Sequence, residues 1–268
     1  AQVTETARHI AATSDLGRRI EVTTQDEVGE LAAHFNAMLD TLERSVAAQR
    51  QLVADASHEL RTPITSLRTN IEVLAESDAL PADERARLLT DVEQQTTELG
   101  LLVADLIELA RGDEPRRDTE DVRLDALVSE ALTRARRHAP GVRFDAALEP
   151  VVVEGASDRL ARAVNNLLDN AAKHSPPGGL VEVRVDASGV RVRDHGNGVD
   201  PADLPHLFDR FYRGASSRGR PGSGLGLAIV RQVAEQHGGS VRAANAEGGG
   251  AEFVLTLPVI PVAAAAGF

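Results

Sequence analysis

The chain has 268 residues, enough for more than one folded unit, and its 42% hydrophobic and 26% charged content marks an ordered globular protein, not a disordered one. Its formal net charge of −12 repels nucleic-acid phosphates, and no dense Lys/Arg run offsets it, so no nucleic-acid partner is expected. The absence of cysteine removes disulfides, thiolate metal sites and cysteine nucleophiles together, and no stretch approaches the ~18 apolar residues that a membrane helix needs.

The first segment, 1–44, is polar and helical at both ends, with a Gly-containing middle around Gly17. It opens at Ala1 within a helical pattern and without a signal sequence, as a fragment of something longer would. Residues 45–112 read as a long helical hairpin. Leu39, Val46, Val53, Leu60, Leu67 and Leu74 recur at heptad spacing, and Ile64 and Ile71 widen the stripe. Ser77-Asp78-Ala79-Leu80-Pro81 supplies the turn, its proline suited to a helix start. The returning helix carries Leu88, Leu102 and Leu109 on one row and Val92, Leu99 and Leu106 on the next, and Arg111-Gly112 closes it. Two antiparallel helices cannot bury stripes this wide against each other alone. A second copy of the hairpin would, so an all-α dimeric four-helix bundle is expected, and with it a homodimer.

Residues 113–118, charged and containing Pro115, form a linker. The character then changes. From 119 to 260, β-like runs at 142–144, 151–153, 181–185, 190–192, 240–243 and 253–257 alternate with helical patterns at 125–138, 157–174 and 225–237. This mixture predicts an α/β sandwich with its sheet covered on one face. No GxGxxG follows a strand at its head, which disfavours a dinucleotide fold. Residues 261–268 read as a loose tail.

His58 stands apart from the hairpin's seam. With Leu60 at heptad position a, His58 falls at f, farthest from the partner helix, and Thr62, Thr65 and Thr69 continue its face. A solvated surface histidine would sit in the same way. Its neighbours argue for more: Glu59 is adjacent, Thr62 lies one turn on, and Pro63 sits inside the helix at a cost of ~3 kcal/mol that packing alone hardly justifies.

Three patterns in the last segment suit a nucleotide. Asn166, Asn170 and Lys173 share one face of the helix at 157–174. Amide oxygens are neutral, hard ligands for Mg²⁺, and Lys173, the chain's single lysine, is a compact charge for a phosphate oxygen. A polar surface helix would look similar, and Asn165 competes with Asn166, although spacing to Asn170 favours Asn166. Asp194-His195-Gly196-Asn197-Gly198 follows a strand. Its carboxylate can accept the exocyclic amine of adenine while Gly196 and Gly198 let the backbone approach the ring; an ordinary turn would read alike, and His195 fits a turn residue. Gly222-Ser223-Gly224-Leu225-Gly226-Leu227 opens a helix whose first N–H groups can face phosphate.

His58-Glu59-Leu60-Arg61-Thr62-Pro63 resembles the phosphoacceptor box of sensor histidine kinases. The ordered series of Asn helix, Asp-x-Gly-x-Gly, Phe208-Asp209-Arg210-Phe211-Tyr212-Arg213, glycine loop and Gly248-Gly249-Gly250 resembles that family's nucleotide boxes. Asp26-Glu27-Val28-Gly29-Glu30-Leu31 with Phe35-Asn36-Ala37-Met38 is similar to the second helix of a HAMP signal relay, though a helical extension of the bundle would share its pattern. The resemblance implies a multidomain protein: a partial HAMP segment, a dimerising phosphotransfer hairpin and an ATP-binding domain of the gyrase/chaperone/histidine-kinase type. It implies that His58 takes a phosphoryl group from Mg-ATP, that Glu59 orients its ring, and that Thr62 positions water for dephosphorylating a response regulator. It further implies nucleotide contacts from Asn166, Asn170, Lys173, His174, Asp194, Gly196, Gly198, Arg213, Gly222, Gly224, Leu225 and Gly226, with Asn166 and Asn170 holding Mg²⁺. The region between Gly198 and Gly222 would be a lid bearing Arg213, Arg218 and Arg220, with Phe208 and Phe211 as its apolar anchors. The whole protein would sit at the cytoplasmic face of a bacterial membrane, anchored by an N-terminal part beyond this chain, and pass its phosphoryl group to a receiver domain. Two other readings compete: a gyrase- or chaperone-type ATPase working by conformational change, and a non-catalytic coiled-coil scaffold.

Overall fold

A computed structural model describes residues 17–22, 26–76, 80–111, 119–214 and 222–260. The chain divides into two units, Ala1–Ile64 and Thr65–Phe268.

In the first unit, helix α1 (Glu27–Glu76) starts where Asp26 caps it. Its Oδ1 accepts the Gly29 N–H at 3.1 Å, and Glu27 and Glu30 place negative charge at the positive end of the helix. Ahead of it, Ile20 is buried, as are Ala32 and Leu39 on α1. The side-chain amide of Asn36 donates to the Ile20 carbonyl and accepts its N–H, both at 2.9 Å, so one residue of extended chain is held as a strand neighbour would hold it. Arg19 reinforces the pairing with Asp40 and Glu43. The helix runs through Pro63 without a break in its assignment. The first helical turns expected at 1–16 lie outside the described residues.

The second unit takes up the last turns of α1 and the returning helix α2 (Ala82–Arg111). Pro81 stands at its start, its carbonyl accepting the Arg85 N–H at 3.0 Å. Gln95 reaches across the hairpin to the Ser66 hydroxyl at 2.9 Å. Leu102 and Leu109 are buried, whereas Ile71, Leu89, Leu101 and Ile107 are about half exposed or more in the single chain. The turn residues Ser77, Asp78 and Ala79, Gly112, the linker 113–118 and the tail 261–268 lie outside the described residues.

The rest of this unit is a mixed α/β fold. A five-stranded sheet has the order β2-β4-β5-β7-β6, with β2 (Arg143–Leu148), β4 (Leu180–Asp186), β5 (Gly189–Asp194), β6 (Ser240–Asn245) and β7 (Ala251–Thr256). Only β2 and β4 pair in parallel; the other pairs are antiparallel. Helices α3 (Leu124–His138), α4 (Ser157–His174) and α5 (Gly226–Gln236) bury their apolar faces with the alternate residues Val181, Val183, Val185, Val190, Val192, Phe253 and Leu255. The expected strands are all present, most of them longer than their apolar runs. Two others were not legible: β1 (Glu120–Arg123), with Val122 its one buried side chain, and the two-residue β8 (Val259–Ile260). They flank β3 (Val152–Gly155) in a small antiparallel sheet.

Candidate nucleotide site and phosphoacceptor histidine

Asp194 is placed by the period of its strand. Val190, Val192 and Asp194 all face the helix-covered side of β5, and Asp194 stands opposite Val181 in the register. The strand thus runs two residues past its apolar run and ends in a carboxylate, 1% exposed, on the apolar face. Oδ1 accepts the backbone N–H groups of Gly196 at 2.8 Å and Ala251 at 3.2 Å. Oδ2 is buried and without a hydrogen-bond partner. An unpaired buried acceptor is costly, and an external N–H donor would relieve that cost.

The loop after Asp194 presses on α4: a Cβ at Gly196 would lie 2.2 Å from the His174 carbonyl oxygen, so this close approach requires glycine. Asn245, on β6, holds the next stretch by accepting the Val199 N–H at 2.7 Å and donating to its carbonyl at 2.8 Å. His195 points away from this site and pairs with Glu182 at 2.7 Å, which fits its reading as a turn residue.

The buried stripe of α4 is Leu160, Ala163, Val164, Leu167, Leu168 and Ala171, which leaves Asn166, Asn170 and Lys173 together on an adjoining face. Asn166 donates to the Gly226 carbonyl at 3.2 Å and so ties α4 to the first residue of α5. The Lys173 ammonium lies 3.9 Å from where a Cβ of Gly222 would be, at the head of the glycine loop. Within that loop Gly224 has φ +72°, and a Cβ there would come 2.8 Å from the Phe211 backbone. The Phe211 N–H donates to the Gly224 carbonyl at 3.1 Å. Phe208 meets the core residue Phe253 edge-on at 6.5 Å, in keeping with an apolar anchor. Arg213 lies between Tyr212, whose hydroxyl donates to Asp203 at 2.6 Å, and Gly214, which abuts the same carboxylate. Arg218 and Arg220 lie outside the described residues.

One face of α4, the Asp194–Gly198 loop and the glycine loop therefore converge. Backbone N–H groups and a lysine gather near one end and an unpaired carboxylate oxygen is buried at Asp194, an arrangement suited to a ligand with phosphates and an amino-bearing base. Among the described residues no three His, Cys, Asp or Glu side chains converge as a metal site. The amides of Asn166 and Asn170 fit an ion that takes its remaining partners from phosphate and water. Sequence reasoning missed the Ala251 N–H, the Asn245 clamp and a stem residue, Asp105, which accepts from Ser223 of the glycine loop at 3.1 Å.

His58, Glu59 and Thr62 lie in the first unit and are all exposed along α1, His58 as its heptad position f requires. Among the described residues no hydrogen bond joins His58 to Glu59.

Three families match in chain order. Residues 1–44 match the HAMP domain, and residues 48–115 match the His Kinase A (phospho-acceptor) domain. Residues 155–261 match the family of histidine kinase-, DNA gyrase B- and HSP90-like ATPases. The mycobacterial sensor histidine kinase MprB, a solved structure, is 41% identical, and the match covers all of that chain and 53% of this one with a TM-score of 0.50. The chain belongs to the sensor histidine kinases.

Among curated relatives of this histidine kinase, the signal transduction histidine-protein kinase/phosphatase MprB of Mycolicibacterium vanbaalenii is 45% identical over 259 residues, 93% of this chain and 53% of the relative. The chain thus spans about half the length of the curated relatives it matches. Full-length ShkA, solved in complex with AMPPNP, is 27% identical with a TM-score of 0.54, over 78% of this histidine kinase and 46% of ShkA. No described helix of the kinase is long and apolar enough to cross a membrane.

Proposed function

We propose that this histidine kinase binds ATP with Mg²⁺ between α4, the Asp194–Gly198 loop and the glycine loop, and transfers the γ-phosphoryl group to His58. The observation that carries the reading is the buried, unpartnered Oδ2 of Asp194, an acceptor for the adenine amine. Gly196, set against the His174 carbonyl, and Gly198, set against Asn245, let the loop lie close enough for its backbone to border the base. Lys173, His174, Arg213 and the N–H groups from Gly222 to Gly226 serve the phosphates. The magnesium ion, held through Asn166 and Asn170, supplies charge neutralisation for the triphosphate. In the transfer, a lone pair on a neutral ring nitrogen of His58 attacks phosphorus, the bond to the bridging oxygen breaks, and ADP leaves with that electron pair. Glu59 orients the ring. The same phosphoryl group then passes to an aspartate of a receiver domain, and Thr62 positions the water that hydrolyses that aspartyl phosphate, releasing inorganic phosphate.

The exposed apolar residues of the hairpin suit a second copy, so the working form is a homodimer. The HAMP match, and relatives about twice as long, support a protein anchored in a bacterial membrane with this region on the cytoplasmic side.

Incubation with γ-labelled ATP and Mg²⁺, wild type against His58→Gln, tests the reading. Label on the protein that is lost in acid, survives alkali and is absent from the variant supports it. Phosphate released without labelled protein would instead make the chain a plain ATPase, and bound ATP with neither product would make it a scaffold.

A further inference from the structure

Helix α2 of the stem reaches the glycine loop through one carboxylate. Asp105, with its side chain 18% exposed, accepts from Arg162 of α4 at 2.8 Å through Oδ1. Its Oδ2 accepts from the Ser223 hydroxyl at 3.1 Å. One turn along, Glu108 lies 3.8 Å from Arg162 and 3.9 Å from Arg159, so the carboxylate is fixed by a half-buried ion-pair network. The Ser223 oxygen in turn accepts the Leu225 N–H at 3.2 Å.

A hydroxyl has one proton. While Asp105 takes it, a lone pair of Ser223 is turned to the Leu225 N–H, and that backbone donor is satisfied from within the loop. Both groups are donors that a phosphate oxygen at this helix N-terminus would use.

We propose that Asp105 is a positioning residue, a stem-borne latch that holds the glycine loop in a self-capped state through Ser223 and so weakens nucleotide binding. The proposal rests on the nucleotide reading of the site. Linkage makes the effect reciprocal: a nucleotide that takes the Ser223 and Leu225 donors loosens α2 from the loop, and a displacement of α2 raises nucleotide affinity. The stem therefore sets nucleotide affinity as well as presenting the histidine.

The test is calorimetric titration of the full chain with Mg²⁺ and a non-hydrolysable ATP analogue. Asp105→Asn should tighten binding about threefold to tenfold, the range expected for freeing one or two hydrogen-bond donors. In a Ser223→Ala background the same substitution should change nothing, because the latch acts through that hydroxyl. Glu108→Gln, which removes a neighbouring charge without touching Ser223, should leave affinity unchanged. Asp105→Glu, which keeps a carboxylate for Arg162 but displaces it from the Ser223 hydroxyl, replaces the first variant if loss of the ion pair impairs folding. Unchanged or weaker binding by the Asp105 variants overturns the latch. So does an equal gain in the Ser223→Ala background, which would assign the effect to charge alone. A wild type that binds no nucleotide overturns the reading of the site and the latch together.

Discussion

The backbone N–H of Ala251 donates to Oδ1 of Asp194 at 3.2 Å, from the first residue of β7 to the last of β5. This bond, with that from Gly196, commits one carboxylate oxygen to the fold and leaves the other for a ligand. In the proposed site, structure and binding thus share a single side chain.

Asp194→Asn separates the two demands. The amide oxygen can keep both backbone bonds, but an NH₂ group replaces the free acceptor and opposes an incoming amine. Nucleotide affinity should fall about tenfold to a hundredfold, one to two good hydrogen bonds. Calorimetric titration of wild type and variant checks it, and unchanged affinity would refute the account.

Thr62→Ala should keep autophosphorylation at His58 and lose most dephosphorylation of the phosphorylated receiver domain. The threonine is exposed one turn from the histidine and its hydroxyl can hold a water. Parallel assays for label on the kinase and label remaining on the regulator read the split. Equal loss of both would refute the assignment.

His237, 6% exposed, joins α5 to the head of α4. Its Nε2 accepts the Ala156 N–H at 3.1 Å, so Nδ1 carries the proton donated to Val233 O at 2.7 Å. A Cβ at Gly155 would strike the ring at 2.5 Å, which shows how closely it is packed. His237→Ala should cost about 2–4 kcal/mol, from a cavity and an uncapped N–H at the start of the asparagine helix. Urea unfolding measures it, and a loss under about 1 kcal/mol would refute the linking role.

Asp209 anchors the segment between the two nucleotide loops. The hydrogen bond from His206, then that from Arg231, hold its carboxyl below the usual carboxylate range. A folded-state pKa below the unfolded one gives stability that is complete above the unfolded value, ~3.9, and is lost as pH falls through the folded value. Asp209→Asn should therefore flatten the dependence of stability on pH below ~4 and change its shape little above that. Acid titration followed by circular dichroism compares the two, and identical acid limbs would refute the role.

Much of this was legible in the sequence because it is periodic or local. The heptads announced the hairpin, the 3.6-residue spacing put Asn166, Asn170 and Lys173 on one face, and period two carried the strands. β1 escaped notice because a charged four-residue run with one buried valine has no pattern, and β8 because two residues are too few to have one. The contacts that finish the site are between residues far apart in the chain. Ser223 and Asp105 are separated by 118 positions, and His237 and Ala156 by 81.

The sequence by itself therefore determined the elements, the order of the boxes and the chemistry each residue brings, since those depend on residue type and spacing along one helix or strand. Only the tertiary structure decided that one oxygen of Asp194 is spent on Gly196 and Ala251 while the other is left without a partner. It alone brought a stem carboxylate to the glycine loop. Hydrogen bonds satisfy whichever donors packing brings within reach, and which donors those are is fixed by the fold, not by neighbours in the chain.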